Sequence, residues 1–103
     1  MARDALFARA ARRDAATIVL WYDGERPGLG DAFRDDLQNV VQRAAEHPAH
    51  FPRIRKRRDV RKAALRRFPY FVIFEVFGAA ILVVSVFHAR RHPRVWRSRL
   101  RPR

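Results

Sequence analysis

Apolar residues in this chain fall into three patterns. Between residues 9 and 25, Ala11, Ala15, Ile18, Val19 and Tyr22 share one helical stripe, with Arg12, Arg13 and Asp23 largely opposite. Residues 31–46 repeat the pattern more clearly, with Phe33, Leu37, Val40, Val41 and Ala44 at helical spacing. Asp31 is placed to cap this second helix, and Pro48 lies just beyond its end. The connector Glu25-Arg26-Pro27-Gly28-Leu29-Gly30 is short and rich in breakers, so the pattern predicts an antiparallel helix pair.

The third pattern is a run of twenty residues, 68–87, with arginines on both sides. It is long enough to cross a bilayer as a helix. It contains Pro69 and Glu75, however, and a carboxylate near the middle of a span is costly in hydrocarbon. Its composition is that of strands: Phe71, Val72, Ile73, Phe74, Val76 and Phe77, then Ile81, Leu82, Val83, Val84, Val86 and Phe87. Gly78-Ala79 between them offers a turn. The expectation is a hairpin in a protein with no membrane span. Strict alternation is absent, which predicts central strands covered on both faces.

Before the hairpin, HPAHFPRIRKRRDV (47–60) reads as a loop and then a basic segment, and RKAALRRF (61–68) as a short strand. Asp4–Arg9 is placed to be an edge strand ahead of the first helix. The predicted fold is α+β, in the order β-α-α-β-β-β: a small antiparallel sheet with an N-terminal helical hairpin packed on one face. The opposite face is expected to carry the basic groups. Residues 1–103 read as a single domain, with a basic C-terminal tail at 90–103 and no internal repeat.

Charge sharpens this picture. Residues 1–50 carry seven arginines against eight acidic groups, net −1, whereas residues 51–103 carry sixteen Lys or Arg against two, net +14. A half-chain this basic implies a polyanionic partner such as nucleic acid or an acidic protein. Arginines outnumber lysines 21 to 2, which suits forked contacts to phosphate or carboxylate and is equally what a high genomic G+C content produces. The absence of cysteine excludes disulfides, thiolate nucleophiles and thiolate metal sites. The N-terminus MARDALFARAARRDAA lacks the apolar core of a secretory signal, so a cytoplasmic protein is expected. His47 and His50 are three apart and His88 and His92 four apart, but carboxylates are scarce in the basic half and a lone H-x-x-H at a helix exit is more often part of a loop, so no metal site and no cofactor is expected. GERPGLG (24–30) joins two helices and does not follow a strand, so it is a turn and not a phosphate loop.

Four ordered stretches resemble the RelE/ParE superfamily, the small toxins of bacterial type II toxin–antitoxin systems. LWYDGERPGLGDAF (20–33) looks like that family's interhelical turn, and HPAHFPRIR (47–55) like its exit from the second helix. VRKAALRRFPYFVIFEV (60–76) resembles its basic strand and next strand start, and VVSVFHARRHPRVWRSR (83–99) its last strand and basic tail. The resemblance implies a toxin neutralised by a cognate antitoxin in a hetero-oligomer. It implies one of two targets: DNA gyrase, inhibited without catalysis, or mRNA on the ribosome, cut without metal. A non-catalytic basic binding module, an inactive orphan homologue, is the alternative.

Metal-independent RNA cleavage needs a base, a proton donor and cations for the developing phosphorane charge. His88, Arg61 and Arg91 are the candidates for these roles, Arg61 and Arg91 because they match positions where nuclease-type members carry functional arginines. Arg57, Arg58, Arg66, Arg67, Arg90, Arg94 and Trp96 are candidates for binding the target or nucleic acid, Trp96 either by stacking on a base or by packing on the sheet. The chain departs from the nuclease pattern in having no tyrosine near its C-terminus; Tyr22 and Tyr70 read as structural. Glu75, inside the hairpin, is a poor base that would pair with an arginine, and Glu46 and His47 stand only at the end of the second helix.

Overall fold

The computed structural model describes residues 2–91 and 94–100. Strand β1 (Asp4–Phe7) leads into helices α1 (Arg9–Glu25) and α2 (Leu29–Glu46) and a 3-10 turn (Pro48–His50). Strands β2 (Val60–Ala64), β3 (Tyr70–Phe77) and β4 (Ala80–His88) follow, and then the short α3 (Arg94–Arg97). No helix among the described residues is long and apolar enough to cross a membrane; the oily run is the β3–β4 hairpin, turning at Gly78-Ala79. Gly78 takes a positive φ of 48° there, a conformation that glycine adopts without a Cβ penalty.

The helical hairpin forms where the periodicity placed it, with two adjustments. α2 starts two residues earlier than expected, and Gly28, at φ 88°, is its N-cap. Asp31 therefore does not cap; it lies in the first turn and pairs with Arg34 at 3.2 Å on the surface. The two helices cross closely at Gly30, where an added Cβ would stand 2.6 Å from the Val19 carbonyl oxygen. The Gly30 N–H donates to Asp23 Oδ1 at 2.9 Å across the same crossing.

The sheet has the order β1-β4-β3-β2 and is mixed, because β1 runs parallel to β4 whereas β2–β3 and β3–β4 are antiparallel. The expected wholly antiparallel sheet is corrected at this one edge. β1 also ends at Phe7 and not at Arg9, because α1 starts there. β2 ends at Ala64, short of the expected Phe68. The buried Asp36 of α2 takes the chain over beyond it, accepting the backbone N–H groups of Arg66 at 3.2 Å, Arg67 at 2.8 Å and Phe68 at 3.2 Å.

Apolar residues on both faces of β3 and β4 produce two cores. Phe33, Leu37, Val40, Val41 and Ala44 of α2 pack with Val72, Phe74, Ile81, Val83 and Val86 on the helix side. On the other side Val60, Ile73, Val84 and Phe87 pack with Trp96 and Leu100 of the C-terminal segment. The expectation that this second face would carry the basic groups is therefore corrected: strands apolar on both sides need a cover, and the C-terminal segment supplies it. Glu75 also lies on this face, 2% exposed, in a two-pronged pair with Arg58 at 2.7 and 2.9 Å.

Candidate functional site

The candidate site is a cleft of about 650 Å³ between the outer side of α1 and the end of β4. It exists because β1 is short. β1 pairs only with Ala80–Val83 and then gives way to α1, so the later part of β4 has no strand beside it. Side chains satisfy that edge instead. Asp14 of α1 accepts the Val86 N–H at 3.0 Å, and Arg99 donates to the Val84 carbonyl and to Ser85 Oγ, both at 3.3 Å. Asp14 and Arg99 also grip each other through two hydrogen bonds, which hold the Arg99 guanidinium above its ordinary pKa. This clasp is the floor of the cleft, and it ties the C-terminal segment to the first helix.

Aromatic rings line the cleft beyond the clasp. Trp21 and Tyr22 stand edge to face at 4.9 Å, Tyr22 meets Tyr70 at 6.2 Å, and Tyr70 meets His88 at 5.1 Å. Burial pushes the Tyr70 phenol up to about 12, aided by a hydrogen bond with Tyr22 and opposed by the nearby charge of Arg91. Tyr70 thus keeps its proton throughout the physiological range and acts as a hydrogen-bonding group, not as a phenolate. The folded protein holds this proton more tightly than the unfolded chain, whose tyrosines ionise near the ordinary value of 10.0. Stability is therefore expected to be intact below pH 10 and to fall as pH rises toward about 12. Denaturant titrations across that window should show the loss, and Tyr70→Phe should remove this part of it.

His88 closes β4. Its Nδ1 accepts the Arg90 N–H at 3.1 Å, and its carbonyl accepts the Arg91 N–H at 2.9 Å. A neutral ring with Nδ1 accepting carries its proton on Nε2, so His88 can donate from that nitrogen. Arg13 and Arg91 line the same cleft. Both are exposed, and neither pairs with a carboxylate among the described residues.

Of the three residues expected to cooperate in catalysis, His88 and Arg91 stand together and Arg61 does not join them. Arg61 pairs with Phe74 in the β2–β3 register, whereas His88 pairs with Tyr70 on the far strand. Strand rise and spacing put their backbones about 16 Å apart. The Arg61 guanidinium is occupied locally, donating to Asp59 at 2.7 Å and to the Phe51 carbonyl at 2.8 Å.

The binding candidates divide as well. Arg57, Arg66, Arg67, Arg90 and Arg94 are exposed, Arg57 beside the equally exposed Arg55 and Lys56. Arg58 is held by Glu75, which raises its pKa through the hydrogen bond between them. Trp96 is buried at 6% exposure and packs on the sheet, so it is not presented to a base. His47 and His50 stack on one another at 4.8 Å. Among the described residues no three His, Asp or Glu side chains converge on a point where a metal would sit. His92 and residues 101–103 of the basic tail lie outside the described residues.

Sequence reasoning missed Asp14, Arg13, Arg99 and the cleft role of Tyr22 and Tyr70. Asp14 and Arg99 are 85 residues apart, and no local pattern relates them. Tyr70 gave one usable signal: it shares strand parity with Val72 and Phe74, which puts its ring on the helix side of the sheet.

A helical hairpin on one face of a small mixed sheet, with a strongly basic second half, defines a small basic α+β protein. The family model for the ParE toxin of the parDE type II toxin–antitoxin system matches residues 5–93, and the chain belongs to that family. Among solved structures the chain is similar to one from the chromosomal ParDE system of P. aeruginosa. The identity is 20% and the TM-score 0.73, over 85% of this chain and 97% of that one. At that identity the likeness establishes the fold. Among curated proteins none matches.

Proposed function

We propose that this ParE-family toxin acts by binding DNA gyrase and is neutralised by a cognate antitoxin encoded beside it. The observation that carries the non-catalytic mode is the position of Arg61: its guanidinium is spent on Asp59 and Phe51, on a backbone about 16 Å in strand geometry from that of His88. A phosphoryl-transfer centre needs its cations within a few ångströms of the reacting group. An inhibitor that works by occupancy needs only a surface. The neutralising partner is an acidic, flexible segment, for which the +14 half-chain supplies the attraction.

Cleavage of mRNA at the ribosome is the second reading. It is favoured by one feature, the neighbouring His88 and Arg91 at the end of β4 with the imidazole Nε2 free to donate. A pulse of expression without the neighbouring gene separates the two. The expected outcome is relaxed plasmid supercoiling or broken DNA with intact mRNA. Arrested translation with fragmented mRNA and unchanged supercoiling would instead establish the nuclease, with His88→Ala as the next variant. Soluble protein with no effect on growth would identify an inactive orphan.

A further inference from the structure

The α1–β4 cleft has a chemistry of its own. The Arg13 and Arg91 guanidiniums and the His88 Nε2 in its lining donate only, and the Thr17 and Tyr22 hydroxyls can donate as well as accept. The one carboxylate in the lining, Asp14, is already consumed by Arg99 and the Val86 N–H. Two arginines with no carboxylate partner beside neutral donors form a receptor for an oxyanion. The oxygens of a phosphate group only accept, which matches guanidiniums that only donate.

The remaining lining is aromatic. Trp21, Tyr22, Tyr70 and His88 run in contact from the helix to the strand end. Trp21 is 57% exposed at the outer end of this row and has an open ring face. The base of a nucleotide, a flat π-system, stacks on such rings. The volume of about 650 Å³ is that of a small-ligand site and not of an extended interface.

We propose that the cleft binds a nucleotide, with its phosphate between Arg13 and Arg91 and its base against Trp21 and the tyrosine pair. The ligand is either a free mononucleotide or the 5′-phosphorylated end of a single strand. The site shares His88 and Arg91 with the second reading above but does not depend on cleavage, because a bound nucleotide needs only the donors and rings of the cleft. It lies on the helix side of the sheet, away from the exposed Arg55–Arg57 segment that would give non-specific attraction to polyanions.

The test uses the full chain and three probes measured by calorimetry and tryptophan fluorescence: guanosine 5′-monophosphate, guanosine and inorganic phosphate. The expected result is saturable one-to-one binding of the monophosphate, at least about ten-fold tighter than either fragment, because the two halves of the site act on one molecule. Arg13→Gln and Arg91→Gln should each weaken it about ten-fold. Trp21→Ala should weaken it similarly. Arg34→Gln, a surface charge on α2, should change nothing. The arginines are exposed, so circular dichroism should find all three charge variants folded. A 5′-phosphorylated hexaribonucleotide distinguishes the sources: tighter binding than the monophosphate identifies a strand end, equal binding a free nucleotide. The proposal is overturned by the absence of saturation, by phosphate binding as well as the nucleotide, by equal losses in Arg34→Gln, or by polyglutamate displacing the nucleotide at equal charge concentration.

Discussion

Replacing Arg58 with alanine should lower the unfolding free energy by about 4 kcal/mol, among the largest effects of any single substitution in this chain. The cause is Glu75, whose carboxylate is 2% exposed on the face of the sheet under the C-terminal segment. Arg58 meets it with two charge-assisted hydrogen bonds of 2.7 and 2.9 Å. Without the guanidinium, the buried carboxylate loses two charge-assisted hydrogen bonds, and that loss costs free energy. Removing the pair together is a different experiment. Arg58→Met with Glu75→Leu fills the same space without charge and should fall within about 1 kcal/mol of the parent. Urea denaturation of both variants at neutral pH checks this. Equal losses in the single and double variants would mean that packing, and not the broken charge pair, sets the cost.

Asp36→Ala should be the second large effect, about 3 kcal/mol. This carboxylate is 3% exposed and holds the turn between β2 and β3 by accepting three consecutive backbone N–H groups, at 3.2, 2.8 and 3.2 Å. Its loss leaves those donors to water or to nothing, and it frees the loop that carries the exposed Arg66 and Arg67. Asp36→Asn retains one acceptor oxygen without the charge and should lose about half as much. Amide hydrogen exchange gives the local readout: Arg66, Arg67 and Phe68 should exchange faster in Asp36→Ala, while the amides of β4 keep their protection relative to global unfolding. Unchanged exchange at those three positions would show that the loop is held by something other than Asp36.

These two carboxylates show where sequence reasoning stops. Glu75 was legible as a charge inside an apolar strand that would pair with an arginine, but a segment with four basic residues at 55–58 cannot say which one arrives. Asp36 sits on the apolar stripe of α2 between Phe33 and Leu37, a polar residue at a buried position. That placement signals a specific buried partner without naming it. The mistaken cap at Asp31 has a simple cause: Gly28 can take the left-handed backbone that starts α2 earlier, so the aspartate is carried inside the helix.

By itself the sequence determined the elements whose signals are local. Helical periodicity set α1 and α2, breakers set the turn between them, and an apolar β-branched run with Gly78-Ala79 at its centre set the β3–β4 hairpin. The charge division and the ordered RelE/ParE-like stretches pointed to the family in the same way. The tertiary structure alone decided three things. It set the parallel pairing of β1 with β4, the covering of the second sheet face by Trp96 and Leu100, and the Asp14–Arg99 clasp that creates the cleft. Each depends on residues far apart in the chain, 72 in the case of Asp14 and Val86. Such contacts form only when the sheet and helices have been assembled around a common core, so no spacing within either segment encodes them. The arginines show the same limit. Their number and sign are in the sequence, but only the folded arrangement commits Arg58, Arg61 and Arg99 to carboxylates and leaves Arg13 and Arg91 in the cleft without a carboxylate partner among the described residues.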